Sequence, residues 1–395
     1  MLKGKCVVLG VTGSIAAYKI ANLASALVKL GADVNVIMTK NATNFINPIT
    51  FETLTSNKCL VDTFDRDFQF NVEHVALAKR ADIFMVAPAS ANVIGKMAHG
   101  IADDMLTTTI LAAKCKKLVS PAMNTNMFTN PIVQDNLETL KKYGFEIIQP
   151  ASGYLACGDT GAGKMPEPEV LLQYILKEIA FEHDLNGKKV MITAGPTQEA
   201  IDPVRYISNH STGKMGYAIA RAAMLRGAEV TLVSGPVAIE PPMFVDVVNI
   251  KSAAEMADVV KSKAGEMDII IKSAAVADYR PANVAAEKIK KKDGEAAAIE
   301  LERTEDILSF LGANKKPGQF ICGFSMETEN MLENSKAKLK KKNVDMIVAN
   351  NLRTAGAGFG TDTNVVTLIT AENARELPIM SKDDVAQAIL DEIVK

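Results

Sequence analysis

No two of the five cysteines, Cys6, Cys59, Cys115, Cys157 and Cys322, are close enough in sequence to form a CxxC pair. That spacing excludes the common metal-cluster frameworks and the dense disulfide scaffolds of small secreted domains. Reduced thiols are the simple reading. Charge of one sign is not in surplus either, with 44 basic against 46 acidic residues. The chain therefore has no global attraction to nucleic acid or to an anionic membrane, and any anion site must be local. No apolar run reaches the roughly 20 residues that span a bilayer. The first residues run directly into a strand-like stretch, Lys5 to Leu9, without a signal-peptide layout. The expectation is a soluble, cytoplasmic protein. What is present is ordinary: 48% hydrophobic and 23% charged residues suit an average globular chain, and 395 residues suit two domains.

The chain opens twice with the same grammar. Gly4 to Ser14 reads as a buried strand running into a glycine turn, followed by a helical run to Leu30 and a second strand, Val34 to Thr39. Asn186 to Thr197 repeats the strand and the glycine turn, and Lys214 to Arg226 and Val230 to Val233 supply the helix and the next strand. Two such openings predict two α/β domains, 1–185 and 186–395, meeting in a short polar boundary at 182–188. Each is expected to be a Rossmann-like, three-layer domain on a parallel sheet, with ligands beyond the carboxyl ends of the strands.

In the first half the informative residues cluster at predicted strand ends. Gly10 to Ser14 could cradle a phosphate with backbone N–H groups, although a tight turn explains it equally well. Pro88 to Asn92 and Pro121 to Phe128 each follow a strand and offer hydroxyl and amide groups at a helix start. Gly153 to Lys164 holds four glycines in twelve residues, the composition of a mobile lid, with Cys157 on it. A lone cysteine is usually an inert buried thiol; a glycine-rich loop favours an exposed, reactive one.

Taken together, His74, PASAN (88–92), PAMNTNM (121–127) and LACGDTGAG (155–163) resemble the flavin-dependent cysteine decarboxylase family over residues 1 to about 180. The resemblance implies a flavodoxin-like domain holding FMN with Gly13, Ser14, Thr39, Ser90, Ala91, Asn92, Val93 and Ala122. It implies His74 as the catalytic base, Asn124 as the ligand of the substrate carboxylate and Cys157 as the proton donor. Phe128 stands where many members carry Trp, and Lys164 where many carry Arg. The residue types suit the chemistry. A carboxylate on an sp³ carbon loses CO₂ only if the electrons left behind have a sink, which oxidising the neighbouring thiol creates. Imidazole suits proton abstraction at neutral pH.

In the second half a long polar loop, Gln198 to Gly213, follows the strand without the GxGxxG spacing of a plain dinucleotide fold. Loops of that length inside a domain are usually functional. Arg205 can fork onto a phosphate or carboxylate, and Asn209, Ser211 and Thr212 precede a helix start. Glu287 to Lys292 is a basic run, more often solvated surface than a phosphate site. Residues 186–395 resemble the ligase half of the bifunctional phosphopantothenoylcysteine decarboxylase/phosphopantothenate–cysteine ligase family. The matching stretches are TAGPTQEAIDPVRYISNHSTGKMG (193–216), AAVADY (274–279), EKIKK (287–291), GFSMET (323–328) and GFGTDTNVVTLI (358–369). That resemblance implies CTP contacts at Asp278, Lys288, Phe324, Lys338 and Lys342, with Lys288 also catalytic. It implies Asn209 as the ligand of an acyl-cytidylate and Arg205 as a phosphopantothenate contact. It also implies a divalent cation such as Mg²⁺, whose ligands the sequence does not assign, and homo-oligomers with trimeric decarboxylase and dimeric ligase contacts, in some members a dodecamer. The residues alone leave CTP and ATP equally open. They also leave open another flavin- or nucleotide-dependent oxidoreductase and a non-catalytic binding protein, although His74 with Cys157 argues against the latter.

Overall fold

The computed structural model describes residues 1–64, 73–154, 158, 160–290, 298–327, 331–351, 358 and 360–395. They form two compact units, Met1–Phe181 and Glu182–Lys395. Among the described residues no helix is long and apolar enough to cross a membrane.

The first unit is built on five parallel strands: β1 (Cys6–Val11), β2 (Asp33–Met38), β3 (Ile83–Ala89), β4 (Lys116–Pro121) and β5 (Phe145–Ile147). Every residue of β1 and β3 is buried, as expected of central parallel strands covered on both faces. Their order is β2-β1-β3-β4-β5, the flavodoxin-like order. One face packs Val8, Phe84 and Val86 against Ile94, Leu106 and Leu140 from the helices. Each such side chain contributes about 1.5–3 kcal/mol on burial. The order reverses between β1 and β3, so the crevice at their carboxyl ends is where a ligand is expected. The glycine-rich flap is a β-hairpin, Ala151–Tyr154 against Thr160–Lys164, whose tip at 155–157 and 159 lies outside the described residues. The helix Pro48–Thr55 falls in a stretch where the sequence reading placed no element.

The second unit contains β6 (Lys189–Ala194), β7 (Glu229–Ser234), β8 (Asp246–Asn249), β9 (Ile269–Lys272), β10 (Phe320–Glu327), β11 (Met346–Asn351), β12 (Val366–Thr370) and β13 (Ala374–Glu376). Their order is β8-β7-β6-β9-β10-β11-β12-β13. The first six are parallel in the Rossmann order 3-2-1-4-5-6, and the last two run antiparallel. The reversal falls between β6 and β9. Two threonines knit the turns there: Thr193 Oγ1 accepts from Ala274 N at 3.1 Å, and Thr197 Oγ1 from Ala277 N at 3.0 Å. The helix Lys214–Leu225 lies close on β6, because a Cβ added at Gly216 would come 2.5 Å from the Ala194 Cβ. Residues 182–185 belong to this unit, four residues ahead of the expected boundary. Leu185 N donates to Arg226 O at 3.0 Å, and Arg226 binds Asp184 and Asp391.

Candidate functional sites

In the first unit the strand ends are tied to one another before any ligand arrives. Thr12 Oγ1 donates to Pro88 O at 2.6 Å and accepts from Ser90 N at 2.9 Å, joining the turn after β1 to the turn after β3. Ser14 Oγ caps the 3₁₀ helix Ile15–Tyr18 by accepting from Ala16 N. Ser90 Oγ caps the helix Ala91–Ala98 by accepting from Val93 N. Thr39 N reaches Val11 O at 3.0 Å, and Ala122 N reaches Ala89 O at 3.0 Å. Gly13, Ser14, Thr39, Ser90 to Val93 and Ala122 thus stand at the carboxyl ends of four neighbouring strands. The first turns of two helices open onto that rim, with N–H groups that no helix bond satisfies.

A cavity of about 540 Å³ opens at this end, and Ser14, Ala122 and Asn124 line it. Thr39 and Ser90 to Val93 are not on its wall. Sequence reasoning missed Lys19 and Glu167, which are. Lys19 Nζ meets Glu167 at 2.7 Å and Lys164 Nζ lies 3.9 Å away; the Lys19 hydrogen bond is the main cause that holds the Glu167 carboxyl below its ordinary range. Their signal was the spacing-independent kind that a sequence hides, since Lys19 and Glu167 come from opposite ends of the unit. Asn124 Oδ1 caps the short helix Thr125–Phe128 by accepting from Asn126 N at 2.8 Å. His74 is half-buried at the start of the helix Glu73–Arg80 and is not on the wall that carries Asn124. Cys157 lies outside the described residues. Ser120 Oγ, at the end of β4, is fully buried without a hydrogen-bond partner.

In the second unit two cavities adjoin at the β6/β9 reversal. The first, about 320 Å³, is walled by Gly195, Asn209, Ala275 and the helix start at Lys214. Asn209 Nδ2 donates to Ala275 O at 2.9 Å, which holds the amide on the rim. The second, about 430 Å³, is walled by Asp306, Lys338 and Lys342. Lys272, Val276, Asp278 and Phe324 line both. Lys338 Nζ donates to Phe324 O at 3.2 Å. Lys342 Nζ binds Asp306 and reaches Ser309 Oγ at 2.7 Å. Burial alone would raise the Asp306 carboxyl; the Lys342 and Ser309 hydrogen bonds outweigh it and bring it below its ordinary range.

Lys288 and Arg205 are exposed and stand on neither wall. Arg205 forks onto the buried carboxylate of Asp202, and its Nη2 donates to Ile289 O at 2.9 Å. Asp202 also accepts from Ile289 N at 3.1 Å. Both backbone polar groups of the residue after Lys288 are therefore held. Among the described residues no three His, Cys, Asp or Glu side chains cluster as a metal site.

Residues 1–180 match the family described as Flavoprotein, and residues 185–395 match the DNA/pantothenate metabolism flavoprotein C-terminal domain. The chain is 49% identical over 397 residues to the coenzyme A biosynthesis bifunctional protein CoaBC of Bacillus subtilis (strain 168), covering 100% of this chain and 97% of that one. It is 46% identical to a cysteine/cysteine sulfinic acid decarboxylase from an unknown prokaryotic organism, covering 88% of this chain and 99% of that one. A crystal structure of the C-terminal domain of CoaBC shares 45% identity and a TM-score of 0.47, covering 54% of this chain and 97% of that one.

Proposed function

The chain belongs to the coenzyme A biosynthesis bifunctional protein family, and from that premise we propose how its two strand-end rims divide the work. The protein is a bifunctional enzyme, a phosphopantothenate–cysteine ligase and a phosphopantothenoylcysteine decarboxylase. The observation that carries the assignment of steps is the pair of adjoining cavities that share Lys272, Val276, Asp278 and Phe324. A transfer between two substrates needs their reacting atoms held side by side, which a shared wall allows.

In ligation the second cavity takes the triphosphate of CTP, with Lys338 and Lys342 offsetting its charge and Asp278 and Phe324 on the nucleotide side. The first takes phosphopantothenate. A carboxylate oxygen bonds to the α-phosphorus, and pyrophosphate leaves with the electrons of the broken P–O bond. The amine of cysteine then attacks the acyl carbon of the acyl-cytidylate, loses a proton, and CMP departs. Asn209 supplies a neutral donor to the acyl oxygen as negative charge develops on it. Lys288 is assigned to the phosphate oxygens. A divalent cation such as magnesium, when bound, would offset charge on the phosphate oxygens beside Lys338 and Lys342.

Decarboxylation belongs to the first unit. The rim fits FMN: capped helix starts at Ser14 and Ser90 suit a phosphate, and the orphaned Ser120 hydroxyl awaits a partner. When bound, FMN would take two electrons from the substrate, opening a sink for those that CO₂ leaves behind, and would return two electrons to the product. Asn124 holds that carboxylate, His74 takes a proton from the substrate, and Cys157 returns one to the product. The reading includes self-association. Among the described residues the cavity that carries Asn124 is not walled by His74, and Leu111 and Ile132 are more than half exposed on the unit's surface. Work in the cytoplasm suits the free thiols of Cys6, Cys59, Cys115 and Cys322.

One assay tests this. Purified protein is given phosphopantothenate, cysteine, magnesium and either CTP or ATP, and products are read by mass. Phosphopantothenoylcysteine followed by phosphopantetheine, with CTP preferred, is expected. Decarboxylation of free cysteine, without ligation by either nucleotide, would overturn the reading in favour of the cysteine decarboxylase relative.

A further inference from the structure

Lys272 is the last residue of β9, and neither the motifs nor the proposed CTP contacts give it a role. Of the four residues common to both cavities it alone is a cation. The other four lysines of this space are anchored: Lys342 by Asp306 and Ser309, Lys338 by the Phe324 carbonyl, Lys214 by Asp362 and the Gly360 carbonyl, and Lys382 by the Gly358 and Thr361 carbonyls. Among the described residues Lys272 Nζ makes one hydrogen bond, to Ala274 O at 3.5 Å, the weak end of the range. Among the described residues no carboxylate lies within ion-pair distance of it. An ammonium group packed into protein without a counter-charge is costly. Burial is the main cause that brings it down to about 8, with Lys338 and Lys342 adding to the fall and Asp306 and Asp278 opposing it. The missing negative charge is one that a ligand can supply.

The position of the group says which charge. This step rests on the ligase reading above. The phosphorus that passes from pyrophosphate to a carboxylate must sit between the nucleotide and the acid, at the junction of the two cavities. We infer that Lys272 is a catalytic residue of ligation, its ammonium group meeting the non-bridging oxygens of the α-phosphate while the carboxylate–phosphorus bond forms and the bond to pyrophosphate breaks. Lys272 moves no proton; it offsets charge that is greatest as the two bonds exchange.

The test is single-turnover release of pyrophosphate from CTP and phosphopantothenate without cysteine. Lys272→Met keeps length and removes charge. Its release rate should fall on the order of 100-fold, the scale of losing one preorganised donor, with CTP affinity within about threefold, since the loss is confined to the transition state. Lys272→Arg keeps a charge that does not titrate near neutrality and should retain most of the rate. In the wild type, kcat/KM for CTP should fall as pH rises through about 8, because the cationic form is the active one. In the Arg variant that alkaline fall should move upward. Asp278 faces Lys272 from the turn after β9, Asp306 from the cap of the helix Ile307–Ala313, and Lys338 and Lys342 from the helix Met331–Lys342. All four are the same in both proteins, so the difference between the two profiles isolates Lys272. A Met variant within about threefold of wild type overturns the inference, as does an Arg variant with an unmoved alkaline limb. That limb decides the matter even if the Met variant fails to bind CTP. A wild-type protein that releases no pyrophosphate sinks the ligase reading itself, a separate outcome.

Discussion

Asp202 and Arg205 show how a residue's chemistry can be legible in sequence while its partner is not. The i, i+3 spacing of an acid and a guanidinium is visible in DPVR, and a phosphate-forking role for Arg205 was the natural expectation. Both side chains meet the backbone of Ile289. The Asp202 side chain is wholly buried and accepts from Val204 N at 2.9 Å, Arg205 N at 2.8 Å and Ile289 N at 3.1 Å, besides Arg205 itself. Ile289 is separated from this pair by more than 80 residues, and nothing local in the chain announces the contact. The consequence is that the loop carrying Lys288 is held from beneath. Asp202→Asn keeps the shape and loses the charge-assisted bonds. Ligation should fall about tenfold, mainly in kcat, while decarboxylation of supplied phosphopantothenoylcysteine stays at wild-type rate. If Arg205 contacted substrate instead, Asp202→Asn would be mild and Arg205→Lys would raise the KM for phosphopantothenate; steady-state kinetics of both variants distinguishes the two. The Arg205 hydrogen bond is the first cause that holds Asp202 far below the carboxylate range, against burial and with help from backbone N–H groups. A depressed folded value means that the clamp's contribution is complete above the unfolded carboxyl's pKa of about 3.9 and is lost only as pH falls through the folded value. Ligation should therefore show no acid limb from this residue above about pH 5.

Strands were the elements the sequence exposed best, because β1, β3, β6 and β9 are near-continuous apolar runs ending in glycine, proline or small residues. Gly153 to Lys164 reads as a glycine-rich lid, and the hairpin pairing of Ala151–Tyr154 with Thr160–Lys164 was hidden because its strands have little side chain to alternate. The helix Pro48–Thr55 escaped because it buries only Phe51. Close approach of one element to another leaves a fainter trace, a single glycine. Gly216 sits two residues into the helix Lys214–Leu225, where a Cβ would meet Ala194 Cβ at 2.5 Å and Thr193 O at 3.1 Å. The second contact is backbone in the centre of a sheet and cannot yield. Gly216→Ala should therefore lift the helix start that forms one wall of the acid's cavity. Overpacking of this kind costs about 1–3 kcal/mol, which for a unit of this size lowers its melting transition by on the order of 5 °C. Calorimetry should show that transition falling while the first unit's transition stays put, and ligation should fall with it. An unmoved melt would mean that the helix can shift at no cost.

Two units in one chain were evident from the repeated strand-turn-helix opening, and PASAN (88–92), PAMNTNM (121–127) and AAVADY (274–279) fall at the strand ends that the topology singles out. The point of division was less legible. Glu182 to Lys188 looks like a uniform polar tether, yet Leu185 is buried and Asp184 is held by Arg226, so the second unit claims the tether's start. Nor could the sequence say whether residues of one proposed site come from one chain. Asn124 is on the wall of the first unit's cavity and His74 is not. The proposed self-association has a neighbouring copy bring the histidine to the same substrate. In a closed homo-oligomer each site then combines Asn124 of one copy with His74 of the next. His74→Asn and Asn124→Asp should each be inactive in decarboxylation as pure proteins. Co-expressed with distinct tags and purified as mixed assemblies, they should recover activity, because a site that draws Asn124 from the first variant and His74 from the second is whole. With equal random mixing about one site in four has that composition, so activity should approach a quarter of wild type. Ligation by the same mixtures should equal wild type, which checks that the protein is intact. Mixed assemblies that stay as inactive as their parents would place both residues' action within a single chain, and the proposed assembly of the decarboxylase site would have to be abandoned.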